Sequence, residues 1–268
     1  MNGFFVVYAF VVPRLQGLKL TEKTLSKLPC FWGPRLNIMS EEDNVWDKGR
    51  WSFVKEVKFD FMTNYIFRHM QEAISIEGKT FVELGSGLGR LSYLLLKAGA
   101  KKVILVDSSS KAVSLTQQVF KGESPEGFEL VQEDLFEYEP KEKIDVSFSS
   151  GVIEHFKDGT RFDIIKKHID VAAECSLILH PTDTPYATFF NNFPVSIKLY
   201  GYQESFSDKE MDDYLDRLDK VKSHYHKRFH TFYTVPFLHN FGALNEFIDP
   251  MSSRLGGFTL TKASLGKG

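Results

Sequence analysis

The sequence lacks three features that would each indicate a particular class of protein. It has only two cysteines, Cys30 and Cys175, in 268 residues, and they fit neither a disulfide framework nor a zinc-binding set. Its formal net charge is −2, so no overall positive field attracts nucleic acid or an acidic membrane. The apolar run from Gly3 to Val12 is too short to span a bilayer and lacks the flanks of a signal peptide. We therefore expect a cytoplasmic protein without a membrane span.

The glycine-rich segment of the chain lacks the motifs of dinucleotide and Walker-type phosphate loops. Residues 81–89 read Phe-Val-Glu-Leu-Gly-Ser-Gly-Leu-Gly, and a helical pattern opens at Arg90. This order predicts a strand, a tight loop and the start of a helix, which together bring a nucleotide-like cofactor against the backbone. The dinucleotide fingerprint requires a glycine where this chain has Arg90, and no Walker sequence is present. A pyrophosphate cradle is therefore disfavoured.

Strands alternating with helices predict a Rossmann-like α/β core with a mostly parallel sheet. Strand patterns fall near 80–84, 102–107, 128–132, 144–149 and 175–181, and helical patterns near 88–98, 110–120 and 160–173. Ligands of such sheets bind beyond the carboxyl ends of the strands, where a carboxylate about 20 residues after the glycines accepts hydrogen bonds from ribose. Several side chains and loop glycines are expected to converge there: Glu83, Gly85, Gly87, Asp107, Asp134 and Ser150.

This order of motifs resembles that of the class I S-adenosylmethionine-dependent methyltransferases. The acid-x-Gly-x-Gly-x-Gly loop, Asp107, the acids that end the third strand, and the segment 151–156 (Gly-Val-Ile-Glu-His-Phe) follow one another as in that family. The resemblance covers residues 76–182 well. It implies S-adenosylmethionine as the cofactor, bound by Glu83, Gly85, Ser86, Gly87, Gly89, Asp107, Ser108, Asp134, Leu135 and Ser150.

The resemblance also implies roles within this site. Glu83 is expected to anchor the methionine amino end through the loop, Asp107 to bind the ribose, and Asp134 with Leu135 to bind the adenine. Methyl transfer needs mainly positioning, with a base only where the acceptor must lose a proton. His155 is the candidate base, and Glu154 is the second catalytic candidate. The alternative is that both side chains are structural and pack under the cap.

The sequence gives no expectation of a metal site. Some family members bind magnesium through E-x-x-E-H after strand four, but Gly151 stands where the first Glu would be. The run His224-x-His226-x₃-His230 could hold a metal, yet no cysteine or carboxylate cluster supports it. The N-P-P-Y signature of amino-group DNA methylation is also absent after strand four, which argues against base methylation of that class.

Four regions make up the predicted domain organisation. Residues 1–45 are an extension, either a leader before a true start at Met39 or a docked hydrophobic arm. Residues 46–182 hold an N-terminal helix, with Trp46 to Trp51 as a candidate lid edge, and the cofactor-binding core. Residues 183–229 are a substrate-cap insertion, and residues 230–268 a helix and a strand. Few residues follow that strand, so either a seventh, antiparallel strand is missing or a boundary lies elsewhere.

The predicted activity is methyl transfer to an oxygen or nitrogen of a small or medium-sized acceptor. Aromatic side chains of the insertion either line a pocket for that acceptor or fasten the cap to the core. The alternatives are an RNA or protein methyltransferase of the same fold, and a protein that binds S-adenosylmethionine without transferring the methyl group. The basic run 220–228 could contact a phosphate backbone, although such runs are more often solvated. The oligomeric state does not follow from the sequence.

Overall fold

A computed structural model describes the cofactor-binding part of the chain and the sheet that carries it. The described residues are Trp46, Trp51, Val54, 57–157, 159–192, Pro194, Ile197, 200–229, Phe247 and 257–266. The predicted extension at residues 1–45 and nearly all of the predicted C-terminal helix near 240–248 lie outside them. Among the described residues, no helix has the length and apolar character needed to cross a membrane.

Within these residues, seven strands form one mixed sheet. In chain order they are β1 (Thr80–Leu84), β2 (Lys102–Val106), β3 (Phe128–Val131), β4 (Val146–Ser150), β5 (Cys175–Pro181), β6 (Val221–Phe229) and β7 (Phe258–Leu265). Their spatial order is β3-β2-β1-β4-β5-β7-β6. Strands β1 to β5 pair in parallel, and β7 is antiparallel to both β5 and β6. This confirms the predicted Rossmann-like fold with a mostly parallel sheet.

Helices follow most strands, and side-chain caps fix where several of them begin. They are α1 (Phe61–Ala73), α2 (Arg90–Lys97), α3 (Ser110–Val119), α4 (Gly159–Val171), α5 (Pro185–Asn191) and α6 (Asp208–Leu215), with a 3₁₀ turn at Ile153–His155. The side chain of Asp60 accepts the N–H of Thr63 in the first turn of α1, Ser109 caps α3, and Ser207 caps α6. Each cap satisfies an N–H group that the helix itself leaves without a partner.

The core lies on both faces of the sheet, because the central strands are buried on both sides. All five residues of β1 are buried, which explains why these strands read as continuous apolar runs. One face packs Phe81 and Phe148 against α1 and α2, and the other packs Val82 and Ile104 against residues that follow β3. The rigid sheet therefore fixes the positions of the strand ends.

The C-terminal part corrects the predicted boundaries. The seventh strand is present as β7, which inserts between β5 and β6. Residues 221–229 form strand β6 of the core sheet and pair with β7. The sequence pattern instead assigns them to the cap insertion 183–229. The segment misleads because β6 is an edge strand with a partly exposed, charged and histidine-rich sequence. Such polarity is usual at sheet edges.

Candidate functional site

The glycine-rich loop joins β1 to α2 at the carboxyl edge of the sheet. The N–H groups of Gly85 and Ser86 donate to the carbonyl of Val106 at 2.8 Å and 3.0 Å, which fastens the loop to the end of β2. The N–H of Gly89 donates back to the carbonyl of Ser86 at 2.9 Å and closes the turn. The loop is therefore held by its own backbone and by the neighbouring strand.

Gly89 explains why the dinucleotide spacing is absent here. Its φ is 63°, and an added Cβ would lie 2.6 Å from Leu105 Cδ2 and 2.7 Å from Thr116 Cγ2. Only glycine accepts both this backbone conformation and this close contact. Gly89 thus provides the tight helix–strand packing that the third glycine of the dinucleotide fingerprint provides. Arg90 points away instead, and its guanidinium donates to Asp60 Oδ2 at 2.8 Å.

Asp107, directly after β2, is tied to the glycine loop. Its Oδ2 accepts the N–H of Gly87 at 2.7 Å, and its Oδ1 accepts the N–H of Ser109 at 2.9 Å. Thr116 on α3 donates its hydroxyl to the carbonyl of Gly87 at 2.9 Å. The predicted ribose-binding carboxylate and the predicted loop are therefore adjacent.

Glu83 is a buried carboxyl group in β1, one strand position before the loop begins. Its exposed fraction is 4%, and Ser92 on α2 donates its hydroxyl to Oε2 at 2.6 Å. Loss of hydration on burial raises the pKa of Glu83 to about 8, despite the hydrogen bond from Ser92. A positively charged group near this carboxyl would be stabilised and would favour its ionised form.

Glu154 is a second buried carboxyl group, in the 3₁₀ turn after β4. It is 2% exposed, and its Oε2 has no hydrogen-bond partner among the described residues. Burial raises the pKa of Glu154 to about 8. Its main-chain carbonyl accepts the N–H of Glu204 at 2.7 Å, which ties the turn to the segment between α5 and α6.

His155 lies beside Glu154 and is half-buried. Its Nδ1 lies 2.7 Å from the carbonyl oxygen of Tyr202. A carbonyl only accepts hydrogen bonds, so Nδ1 carries the proton and Nε2 is the basic nitrogen of the neutral ring. Burial lowers the pKa of His155, although hydrogen bonds to the carbonyls of Tyr202 and Gly151 partly oppose this. Burial therefore favours the neutral form of the ring.

Two tryptophans cover the loop and the turn. Ring atoms of Trp51 lie 3.1 Å from where a Cβ on Gly87 would be. Trp51 stacks on Trp46 with ring centroids 6.2 Å apart, and Trp46 meets the ring of His155 edge-on at 4.8 Å. The candidate lid edge thus contacts both the loop after β1 and the turn after β4.

The other predicted site residues lie at the same edge of the sheet. Asp134 follows β3, is exposed, and accepts the N–H of Phe136 at 2.8 Å through its Oδ1. Leu135 packs partly into the core beneath it. Ser108 is exposed after β2, and Ser150 is the half-buried last residue of β4. Ser92 and Thr116 were not predicted as site residues. The sequence feature that could have identified each of them is a polar residue on a helix face that is otherwise buried.

Part of the chain matches a known family model. Residues 81–174, from β1 to the residue before β5, match a model described as a methyltransferase domain. Protein arginine N-methyltransferase 6 of Danio rerio is 37% identical over 75 residues, which are 28% of this chain and 22% of that protein. Ribosomal RNA small subunit methyltransferase A of Rhodopseudomonas palustris is 31% identical over 78 residues, 29% of this chain and 27% of that protein. The chain thus spans about a quarter of the length of these relatives.

Solved structures share the fold over a larger part of the chain. Magnesium protoporphyrin IX methyltransferase from Synechocystis, with bound SAH, has a TM-score of 0.54 at 16% identity and covers 79% of this chain and 90% of its own. The DhpI–SAH complex has a TM-score of 0.52 at 17% identity, covering 77% and 86%. Mitomycin 7-O-methyltransferase MmcR has a TM-score of 0.54 at 15% identity, covering 76% and 54%. At such identities the likeness describes the fold.

The sheet order, with the antiparallel strand β7 between β5 and β6, and the glycine loop after β1 define a class I methyltransferase fold. The match over residues 81–174 adds the sequence motifs that lie on that fold. Residues 81–174 therefore resemble a methyltransferase domain, and the described residues have the Rossmann-like fold of class I methyltransferases.

Proposed function

We propose that this protein transfers a methyl group from S-adenosylmethionine to an oxygen or nitrogen of a small or medium-sized acceptor. The observation that carries the proposal is the link between the N–H of Gly87 and the carboxylate of Asp107 at 2.7 Å. This hydrogen bond holds the glycine-rich loop beside the Asp107 carboxylate at the carboxyl edge of the parallel strands. That edge is where α/β folds bind nucleotides.

The residues of this edge fit the polar groups of S-adenosylmethionine. The carboxylate of Asp107 suits the ribose hydroxyls, and the buried Glu83 suits the positively charged methionine amino end through the loop. Asp134 and Leu135 would hold the adenine, with Ser86, Ser108 and Ser150 lining the same edge. Gly85 and Gly89 keep the backbone close. When bound, the cofactor supplies a methyl group on a sulfonium, which is an excellent leaving group.

The turn after β4 is the proposed acceptor side of the site. The unprotonated Nε2 of His155 would take a proton from an acceptor hydroxyl or ammonium. The Oε2 of Glu154 is buried and has no described partner, so it is available to a polar group of the acceptor. Trp46 and Trp51 would close over the loop and exclude water from the reacting atoms.

A second candidate is an RNA or protein methyltransferase of the same fold. It is favoured by the two curated relatives, whose names refer to protein arginine and to ribosomal RNA. The third possibility is a protein that binds the cofactor without transferring the methyl group. A missing seventh strand would have favoured it, and that strand is present. The net charge of −2 supports a small acceptor over nucleic acid. We also propose a cytoplasmic location, because the low cysteine content indicates a reducing compartment.

Calorimetry on the full chain tests the cofactor. S-adenosylmethionine and S-adenosylhomocysteine should bind, and NAD should not. Binding of NAD but of neither sulfur ligand would overturn the proposal. Transfer of a radiolabelled methyl group to fractionated small molecules, RNA and protein from an extract then separates the acceptor classes: label in the small-molecule fraction supports the first candidate, and label in RNA or protein supports the second.

A further inference from the structure

A row of acidic side chains on α6 faces a row of basic side chains on β6. Asp208, Asp212 and the C-cap residue Asp216 are four residues apart along the helix, and His224, His226 and Arg228 are two apart along the strand. Four helical residues rise about 6 Å, and two strand residues rise about 6.6 Å. The two spacings match closely enough for each acid to meet one base.

The first pair of this row differs from the other two. Arg228 Nη2 lies 2.8 Å from Asp208 Oδ2, and a guanidinium is charged at every working pH. The other two pairs use histidines, whose charge is conditional. His226 Nε2 lies 2.8 Å from Asp212 Oδ1, and His224 Nε2 lies 2.9 Å from Asp216 Oδ1.

His224 cannot satisfy its surroundings as a neutral ring. Its Nδ1 lies 3.2 Å from Asp212 Oδ1, while its Nε2 faces Asp216. A neutral imidazole has one N–H and one bare lone pair, so one of its nitrogens would direct that lone pair at a carboxylate oxygen. The arrangement requires either a protonated ring or a cation between Nδ1 and Asp212.

The geometry points to the cation, and we propose that Asp212, His224 and His226 form a binding site for a divalent transition metal, zinc above all. One ligand atom of each residue lies within 4.8 Å of the others. Tetrahedral zinc holds nitrogen and oxygen ligands about 3.3 Å apart, so the distances of 3.2 Å and 2.8 Å to Asp212 Oδ1 need only small adjustments. Two imidazoles and one carboxylate are a ligand set that zinc and its neighbours accept.

The surroundings already orient the two histidines as metal ligands. The ring nitrogens that would not bind the metal each have a partner: His224 Nε2 faces the Asp216 carboxylate, and His226 Nδ1 lies 2.8 Å from Thr261 Oγ1 on β7. Metal-binding histidines characteristically donate their second N–H in this way, which fixes the ring. Asp216 and Thr261 are therefore positioning residues for the proposed site.

This metal site is independent of the proposed methyl transfer. Strands β4, β5 and β7 lie between β6 and the strand β1 that carries the glycine loop. A metal here would fasten α6 to the edge of the sheet and leave a coordination position open. The sequence expectation that no carboxylate supports the histidine run is wrong, because the acids come from a helix that lies before it in the chain. His230, the third histidine of the run, lies outside the described residues.

Metal titration of the full chain, free of any affinity tag and stripped with a chelator, tests the site. Cobalt(II) should bind one per chain with the visible absorption of a tetrahedral site, zinc should displace it, and zinc should raise the melting temperature. Asp212→Asn and His226→Gln should lose this binding. Asp208→Asn, which removes the same charge from the neighbouring position of the helix, should keep it. Asp216→Asn should bind about 10- to 100-fold more weakly.

Two outcomes overturn the proposal. The first is wild-type protein that binds neither cobalt nor zinc at one per chain, which would leave the histidines as ion-pair partners only. The second is one-per-chain binding that persists unchanged in both Asp212→Asn and His226→Gln. Circular dichroism of each variant separates a lost ligand from a lost fold, and the cobalt spectrum of the wild type needs no variant at all.

Discussion

The carboxylate of Asp107 accepts the N–H of Gly87 at 2.7 Å, across 20 residues of sequence. This bond makes Asp107 part of the loop's architecture as well as a group that can face a ligand. Replacing it therefore removes a loop support and a ligand contact at once, and a useful test has to separate the two effects.

Asp107→Ala should weaken binding of S-adenosylmethionine by about 1–3 kcal/mol, because a charged hydrogen-bond acceptor is lost. Calorimetry gives the dissociation constants. Asp145→Ala is the matched control, since Asp145 accepts the N–H of Thr80 at 2.8 Å at the opposite end of β1. It should reduce stability and leave cofactor affinity unchanged. Equal affinity in wild type and Asp107→Ala would remove Asp107 from the site.

Gly89→Ala should lower the free energy of unfolding by more than Gly78→Ala does. Both glycines have positive φ, 63° and 74°, but an added Cβ meets Leu105 and Thr116 at position 89 and nothing within 4 Å at position 78. The strained backbone costs about 1–2 kcal/mol in each, and overpacking adds about 1–3 kcal/mol at position 89 alone. Urea unfolding measures both variants. Equal losses would show that the close packing has no energetic effect.

His155→Ala should abolish turnover and leave binding of S-adenosylhomocysteine intact if the acceptor must lose a proton to Nε2. Burial lowers the pKa of His155, so the wild-type rate should fall at a lower pH than it would with an ordinary histidine as the base. Single-turnover rates over a pH series measure this. A variant that turns over normally would make His155 a structural residue, the alternative that its contacts with Tyr202 and Trp46 also fit.

His168 should make the fold sensitive to mild acid. Its side chain is fully buried, with Nδ1 2.7 Å from the carbonyl of Ile164 and Nε2 2.8 Å from Ser149 Oγ. Burial lowers the pKa of His168 from the ordinary value of 6.5 to about 4. As the pH falls from 6.5 towards 4, His168 binds a proton in the unfolded chain but stays neutral in the folded protein. The free energy of unfolding therefore decreases over that pH range.

The expected size of this loss is about 2 kcal/mol between pH 7 and pH 5 for one such histidine. Urea unfolding at the two pH values measures it, and the His168→Gln variant provides the comparison. The variant should be less stable at pH 7 and should lose less on acidification. An equally steep loss in the variant would assign the acid sensitivity to other groups, among them His180, whose pKa burial also lowers to about 4.

The sequence predicted best where one element decides its own structure. Strand β5 lies at residues 175–181 as its apolar pattern indicates, and the glycine loop ends β1 as expected. It predicted worst where a distant segment decides. Strand β6 is polar because it forms the sheet edge. No local pattern shows that β7, which comes later in the chain, will pair with it. The carboxylate of Asp212 joins His226 only because α6 packs on β6.

The same limit applies to the candidate site. Glycine spacing and the acids at strand ends predict which residues gather at one edge, because parallel strands share their carboxyl ends. The bond between Asp107 and Gly87, the stack of Trp51 over the loop and the buried Glu154 depend on packing between elements. These contacts carry most of the proposed chemistry, and spacing alone does not contain them.

The position of β7 between β5 and β6 sets an order of assembly. During synthesis, β6 is made before β7, which lies between β5 and β6 in the sheet. The free edge of β5 therefore stays unpaired until residues 258–265 have been made. Pairing of this kind across sequence is slow compared with local structure. The parallel half, from β1 to β5, contains the glycine loop and Asp107 and has no such dependence. The proposed cofactor site can therefore form during synthesis, before β7 completes the sheet.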